Sequence, residues 1–368
     1  MVLTTTGAAA GLTCAGGDAT APADAGSPQY RFGVKFEPPT GRVVHGVGQW
    51  IEYTAKYVAL LPASTQPASE LSFIPIADTV RGWNSAKIAA SLAAMDAAGR
   101  IPLVNLSLWT RQPTAAELAT MSDKLFGVDD DIANGTQWDA RLRDFANVLQ
   151  AYRKPVLLRI GGEFNGWWNG YHPYDFPKAY RKIAGMIRAA GADNVAFVWC
   201  YYPAAPDDFD AKNAAGEWKW YPGDDVVDWF SIDLFQVGDL TGATAARGSL
   251  TAYGRTLRFL DMAVAKQRPV VIAESSPASF DLATSSTQAW SEWFVPYFAL
   301  MSSRSEIVWF VYINYDWTKA SYFASSGWKN NDLTVNSSLA AQYAAELSKP
   351  KYLHSTDRAL LKDFGKYK

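Results

Sequence analysis

Eight runs of nearly uninterrupted apolar residues recur along the chain, and they constrain the fold more than any other feature. They are RFGVKF (31–36), LSFIPI (71–76), IPLVNLSLW (101–109), PVLLRI (155–160), VAFVWCYY (195–202), VVDWFSIDLF (226–235), PVVIAE (269–274) and IVWFVYIN (307–314). Such runs suit strands covered on both faces, as in a parallel sheet, rather than half-solvated antiparallel strands. Between them lie stretches with helical spacing, at 85–98, 115–126, 139–152, 177–190, 251–266 and 287–302. The first of these, SAKIAASLAAMDAAG, ends on a glycine, a helix stop signal. Strand and helix in alternation imply βα units. Eight units in a chain of this length predict an α/β fold closed as a (β/α)8 TIM barrel, one domain across residues 30–350. Two doubly wound domains are the alternative, but no linker-like composition divides the body.

Residues 1–29 are rich in Ala, Gly, Thr and Pro and nearly free of large apolar side chains, so they read as a flexible leader. Gly11-Leu12-Thr13-Cys14 resembles the end of a lipoprotein export signal, which points to a secreted, periplasmic or cell-surface protein. Residues 351–368 carry scattered Lys and Arg and read as a C-terminal tail. No stretch of apolar residues is long enough for a membrane span.

With 34 Lys and Arg against 36 Asp and Glu, the net charge is −2. That balance offers no basic field for a nucleic acid or an anionic membrane surface. Three His and two Cys argue against a multi-His zinc site or a disulfide framework, and neither metal nor organic cofactor is expected. Cys200, inside an apolar run, reads as a buried free thiol. Asp129, Asp130, Asp131 and Asn134 read as a solvated turn rather than a calcium loop, since the bidentate Glu of such loops is missing. The distinctive quantity is 14% aromatic residues, with 15 Trp. Indole faces suit flat, ring-shaped ligands such as sugars, although a barrel core also consumes many of them.

In a barrel of this kind chemistry gathers where the strands end. Glu163, in RIGGEFNGWWNGYHP, and Glu274, in PVVIAESSP, each terminate an apolar strand, where an unneeded carboxylate would be costly. Two carboxylates across a scissile bond are what glycoside hydrolysis requires, one protonated to assist departure and one ionised to attack. Trp167 and Trp168 offer apolar surface that would raise a neighbouring acid's pKa, and faces on which a sugar could stack. Trp317, beyond the eighth run, is a further stacking platform. Asp233 could take a sugar hydroxyl or satisfy a buried arginine, Glu37 could do the first from the end of the first run, and Trp220 could wall the site. His172 is the one histidine near it.

At this point the residues resemble the clan A retaining glycoside hydrolases, and within them glycoside hydrolase family 26, the β-mannanase, lichenase and β-1,3-xylanase group. The resemblance is carried by Arg159-x-x-x-Glu163 with Asn165-Gly166-Trp167-Trp168, by WYPGDDVVDWFSIDLF (220–235) and by PVVIAES (269–275), in the family's order. It implies Glu163 as acid/base, Glu274 as nucleophile, Arg159 holding the nucleophile region, and Trp168 in a sugar subsite. Two positions depart from the family. Gly162 stands where the mannanases carry a His before the acid/base, which counts against mannan. Phe235 stands where a Tyr near the nucleophile is common, and Tyr202 or Tyr201 from the fifth strand could substitute for it.

The expectation is a monomeric single catalytic domain that cleaves a β-linked polysaccharide or oligosaccharide (β-mannan, β-glucan, xylan or a bacterial exopolysaccharide) by double displacement. Its site is Glu163 and Glu274, with Arg159, Asn165, Trp167, Trp168, His172, Tyr202, Trp220, Asp233, Trp317 and Glu37 contacting substrate. A non-catalytic carbohydrate-binding barrel and a transglycosylase on the same site are the alternatives.

Overall fold

The computed structural model describes residues 28–77, 82–110, 114, 116, 126–203 and 208–367. Cys14 with the rest of the leader to residue 27, and most of the helix expected over 115–126, lie outside the described residues. Eight parallel strands form the barrel: β1 Val43–Gly48, β2 Ser69–Pro75, β3 Ile101–Ser107, β4 Val156–Glu163, β5 Val195–Tyr201, β6 Trp229–Leu234, β7 Val270–Ser275 and β8 Ile307–Ile313. Each pairs with the next, and β8 returns to β1 through Val44–Trp309 to Gly48–Ile313, which closes the sheet. Among the described residues no helix is long and apolar enough to cross a membrane.

Alternation along the strands sorts side chains into two layers. Val156, Leu158 and Ile160 of β4 point outward to the helices, with Phe176, Tyr180 and Ile183 of the helix Asp175–Ala189 among their neighbours in that layer. Leu157, with Val44, Leu103, Val198, Val271 and Trp309, fills the interior. The helices Ser85–Ala97, Asp139–Tyr152 and Ala252–Ala265 occupy the positions expected of them. The last expected helix is interrupted by a π-helical turn, Trp290–Phe294.

The first strand requires correction. RFGVKF is not a strand; β1 is VVHGVG, Val43–Gly48. Its pattern looks like a loop because two positions admit no side chain. A Cβ on Gly46 would lie 2.9 Å from the Phe310 carbonyl oxygen, and one on Gly48 would lie 2.8 Å from Leu71 Cβ. Residues 31–37 instead lie across the N-terminal end of the barrel. The indole of Trp229, at the start of β6, donates to the Lys35 carbonyl at 2.9 Å, and Lys35 Nζ donates to the carbonyl of Val195, the first residue of β5, at 3.1 Å.

Residues 351–368, expected as a tail, reach the same end as far as they are described. Tyr352–Leu353 pairs in parallel with Val43–Val44. Leu361 and Phe364 are buried with Phe36 in the interior layer, so the two segments together form a floor. In the outer layer beside β1 lies a buried polar chain: His45 Nδ1 is 3.4 Å from His354 Nδ1, His45 Nε2 is 2.5 Å from the Tyr57 hydroxyl, and that hydroxyl is 2.9 Å from the Tyr343 hydroxyl.

Candidate active site

Strand β4 carries an arginine inward and a glutamate to its upper end. Between them Arg159 is level with Val198 while Glu163 is level with Cys200, so β4 has two more residues than β5 over this stretch. Gly161 (φ 82°) and Gly162 (φ 65°) absorb the surplus in a backbone region that favours glycine. A Cβ on Gly161 would meet Phe176 at 2.5 Å, and one on Gly162 would meet Asn105 Oδ1 at 2.8 Å. The glycine where the mannanases carry His is therefore demanded by local geometry. The loop that follows is clamped: the Asn165 amide donates to the Tyr202 carbonyl at 2.8 Å and accepts from the Tyr202 N–H at 3.0 Å. Asn169 donates to the Glu163 carbonyl at 2.8 Å, and Trp168 Nε1–H donates to the Glu163 carboxylate at 2.7 Å.

Across the barrel, Asp233 of β6 stands level with Glu274 of β7. Arg159 joins them, giving one arm to Glu274 Oε1 at 2.5 Å and the other to Asp233. The second oxygen of Asp233 accepts the Glu274 backbone N–H at 2.9 Å, so a closed ring of three residues fixes the Glu274 carboxylate. Arg159 and Asp233 are essentially inaccessible, at 1% and 0% exposure.

Three carboxylates share this space with one guanidinium, and they cannot all ionise comfortably. Burial opposes the charge on Arg159, but Asp233, and with it Glu274 and Glu163, hold its pKa well above the ordinary value. Burial pushes Asp233 up as well; Arg159 pulls it down, and the charges of Glu274 and Glu163 add to the upward push. Glu163 is raised from 4.5 to about 7, by burial first and by the charge of Glu274 second, against the opposing effects of Arg159 and the Trp168 hydrogen bond. A proton is thus retained near Glu163 at neutral pH beside an ion-paired Glu274.

An aromatic layer surrounds the glutamates. The Trp168 ring meets Tyr202 edge-on at 5.4 Å and Trp167 at 5.5 Å. Tyr202 packs on Phe235 at 6.3 Å, and Phe235 on Trp317 at 5.9 Å. Trp317, expected as an open stacking platform, is only 1% exposed. Trp50, Phe323 and Trp328 cover its ring and its indole donates to Ser276 Oγ at 3.1 Å, so it is a packed floor of the mouth.

Of the residues expected at the site, the structure brings together Glu163, Glu274, Arg159, Asp233, Trp168 and Tyr202, with Trp167 beside them and Asn165 acting on the backbone beneath. Three do not join them. Glu37 follows the mistaken first strand and lies at the barrel floor, its carboxylate accepting the N–H groups of Phe32 at 3.0 Å and Val34 at 3.1 Å. Trp220 is buried in the outer layer against Phe164 and Phe176, its indole donating to Asp208 at 3.2 Å. His172 has Asp129 and Asp130 as its ion-pair partners among the described residues, at 2.9 Å and 3.6 Å. That trio is the one group of potential metal ligands among the described residues, within 4.8 Å of one another. Asp129 is already engaged, however, by both the backbone N–H and the ring Nδ1 of His172. Trp50 went unread because it depends on β1: with the strand at 43–48, it stands two residues past the strand's end at the mouth.

The sequence model of glycosyl hydrolase family 26 matches residues 76–290. A β-1,3-xylanase of a Vibrio species is 29% identical over 348 residues, covering 88% of this chain and 68% of its own length. A β-1,3-xylanase of an Alcaligenes species is 28% identical, covering 87% of this chain and 66% of its own, so the chain spans about two thirds of these relatives. Among solved structures, a modular endo-β-1,4-mannanase of Cellulomonas fimi shares the fold with a TM-score of 0.55 at 18% identity, covering 86% of this chain and 73% of that one. The matched segment holds β3 to β7, and with them both glutamates and Arg159: the chain belongs to glycosyl hydrolase family 26 and is a glycoside hydrolase.

Proposed function

We propose that the protein hydrolyses β-1,3-linked xylan with retention of configuration, and that Glu274 and Glu163 carry the reaction. The observation that carries the reading is the unequal environment of the two glutamates: Glu274 is ion-paired to a buried arginine, while Glu163 is raised to about 7. One carboxylate is held ready to attack and the other holds a proton to give. Glu274 attacks the anomeric carbon while the glycosidic C–O bond breaks and Glu163 protonates the departing oxygen. Glu163, now ionised, takes a proton from water, whose oxygen displaces Glu274 and releases the sugar. Both β-1,3-xylanase relatives favour xylan, and the glycine before Glu163 counts against mannan. Both glutamates and Arg159 come from one chain, which supports a monomer, and a polymeric substrate supports a location outside the cytoplasm.

Reducing-end release from β-1,3-xylan, β-1,4-xylan, β-1,4-mannan and mixed-linkage glucan tests this, with the parent and Glu274→Ala side by side. Release from β-1,3-xylan by the parent alone supports both substrate and nucleophile. Release from another glycan replaces the substrate, and equal release by the variant overturns the role of Glu274. Proton NMR of the first-formed anomer separates retention from inversion.

A further inference from the structure

A hollow of about 720 Å³ opens on the rim of the barrel mouth, between the segments that follow β1 and β8. One side of it is aromatic, and the rest is polar, with Lys56 paired to Glu52 at 3.5 Å and to Asp332 at 3.6 Å. Trp50 lies flat on Tyr315, with ring centroids 3.7 Å apart and planes 17° from parallel, and Tyr53 meets Tyr315 edge-on at 4.9 Å. Ile51 beside them is 85% exposed. Polar groups ring this wall. Lys319 is exposed, Asp316 accepts from Thr318 through one carboxylate oxygen, and Asn330 accepts from the Asp332 N–H through its amide oxygen. The volume falls in the range of small-molecule sites, and the chemistry (an apolar ring face edged by hydroxyl-sized donors and acceptors) is that of a pyranose.

The hollow is joined to the catalytic centre through packed side chains. Trp168, bonded to Glu163, begins a row of touching rings that runs through Tyr202, Phe235, Trp317 and Tyr315 to Trp50, successive centroids lying between 3.7 and 6.3 Å apart. The middle members are buried, and the two tryptophans at the ends are part exposed. Close packing makes the row rigid, so the distance between the two exposed indoles is fixed. We infer that the Trp50 hollow is a distal sugar subsite, which holds a further residue of the same β-linked chain that Glu163 and Glu274 cleave. The inference rests on the hydrolase reading above for its ligand class.

The test is kcat/KM for β-1,3-xylo-oligosaccharides of increasing length, for the parent, Trp50→Ala and Lys319→Ala. Trp50→Ala should lose about tenfold on the hexasaccharide, the scale of one lost stacking contact, and nothing on the shortest oligosaccharide cleaved. Lys319→Ala, which removes no ring from the packed row, should show the same length dependence with a loss of about threefold. Loss at all lengths alike, or at none, in both variants overturns the subsite. If the parent cleaves no member of the series, the hydrolase reading on this glycan fails separately. Calorimetric binding of the hexasaccharide and disaccharide then decides the subsite by the same criterion: hexasaccharide affinity reduced by Trp50→Ala alone supports it, and unchanged affinity overturns it.

Discussion

At the scale of single residues, the chemistry follows from how Glu163 is held. Its acid form is favoured by burial and by the charge of Glu274, and its ionised form by Arg159 and the Trp168 indole. In its proposed role as general acid Glu163 must be protonated, so kcat/KM should fall as pH rises through about 7, and Glu163→Gln should remove that limb while lowering kcat about 10²–10⁴-fold. Trp168→Phe deletes the N–H that stabilises the carboxylate; the pKa then rises, and the limb should move to higher pH in a pH–rate profile. The stability sign is the same. Between 4.5, where an unfolded Glu titrates, and about 7, the folded state binds the extra proton, so this group's contribution declines as pH rises through that window. Gly162 was legible as a departure from the family but not as a necessity. Its left-handed φ and the crowding by Asn105 predict that Gly162→Ala costs about 1–2 kcal/mol of stability, measurable by urea unfolding.

At the scale of elements, seven of the eight strands were readable because continuous apolar runs have little alternative to burial on two faces. The first failed for a reason that the barrel itself supplies. Gly46 and Gly48 are required where β2 and β8 crowd β1, and His45 is required by the buried polar chain; together they strip the strand of its apolar signature. That error displaced Glu37 from floor to mouth and hid Trp50. The helix Ile51–Leu60 was lost with it, while the clamp made by Asn165 on the Tyr202 backbone could not be read because it spans two loops. Trp220 illustrates the complementary limit: in a chain so rich in aromatic residues, spacing does not distinguish a ring that faces the cleft from one packed behind it. Gly46→Ala should destabilise by about 1–3 kcal/mol, since its Cβ would sit 2.9 Å from a carbonyl oxygen that cannot retreat without breaking the ladder. A lowered melting temperature with unchanged KM in the surviving folded fraction would bear this out; no change in melting temperature would contradict it.

At the scale of the whole molecule, the barrel separates stability from chemistry by its length. Leu361, 3% exposed in the floor, should cost about 3 kcal/mol when replaced by Ala and leave kcat and KM alone, because Glu163 stands at the opposite end. The protein should also lose stability in acid through its buried His45–His354 pair. Burial, and for His45 the neighbouring His354, push both pKa values below 6.5, so the unfolded chain takes up protons that the folded chain refuses, and stability falls as pH drops below that value. Replacing His354 with Gln should flatten this acid limb in a series of urea titrations. The floor has one more consequence, which concerns orientation. Tyr30, whose hydroxyl donates to the Leu360 carbonyl at 2.8 Å, and Tyr367, which packs on Phe36, bring both ends of the described chain to the side away from the glutamates. Anything fastened to either end, whether a surface, a tether or another domain, would hold the enzyme from behind and leave its mouth turned toward the polymer.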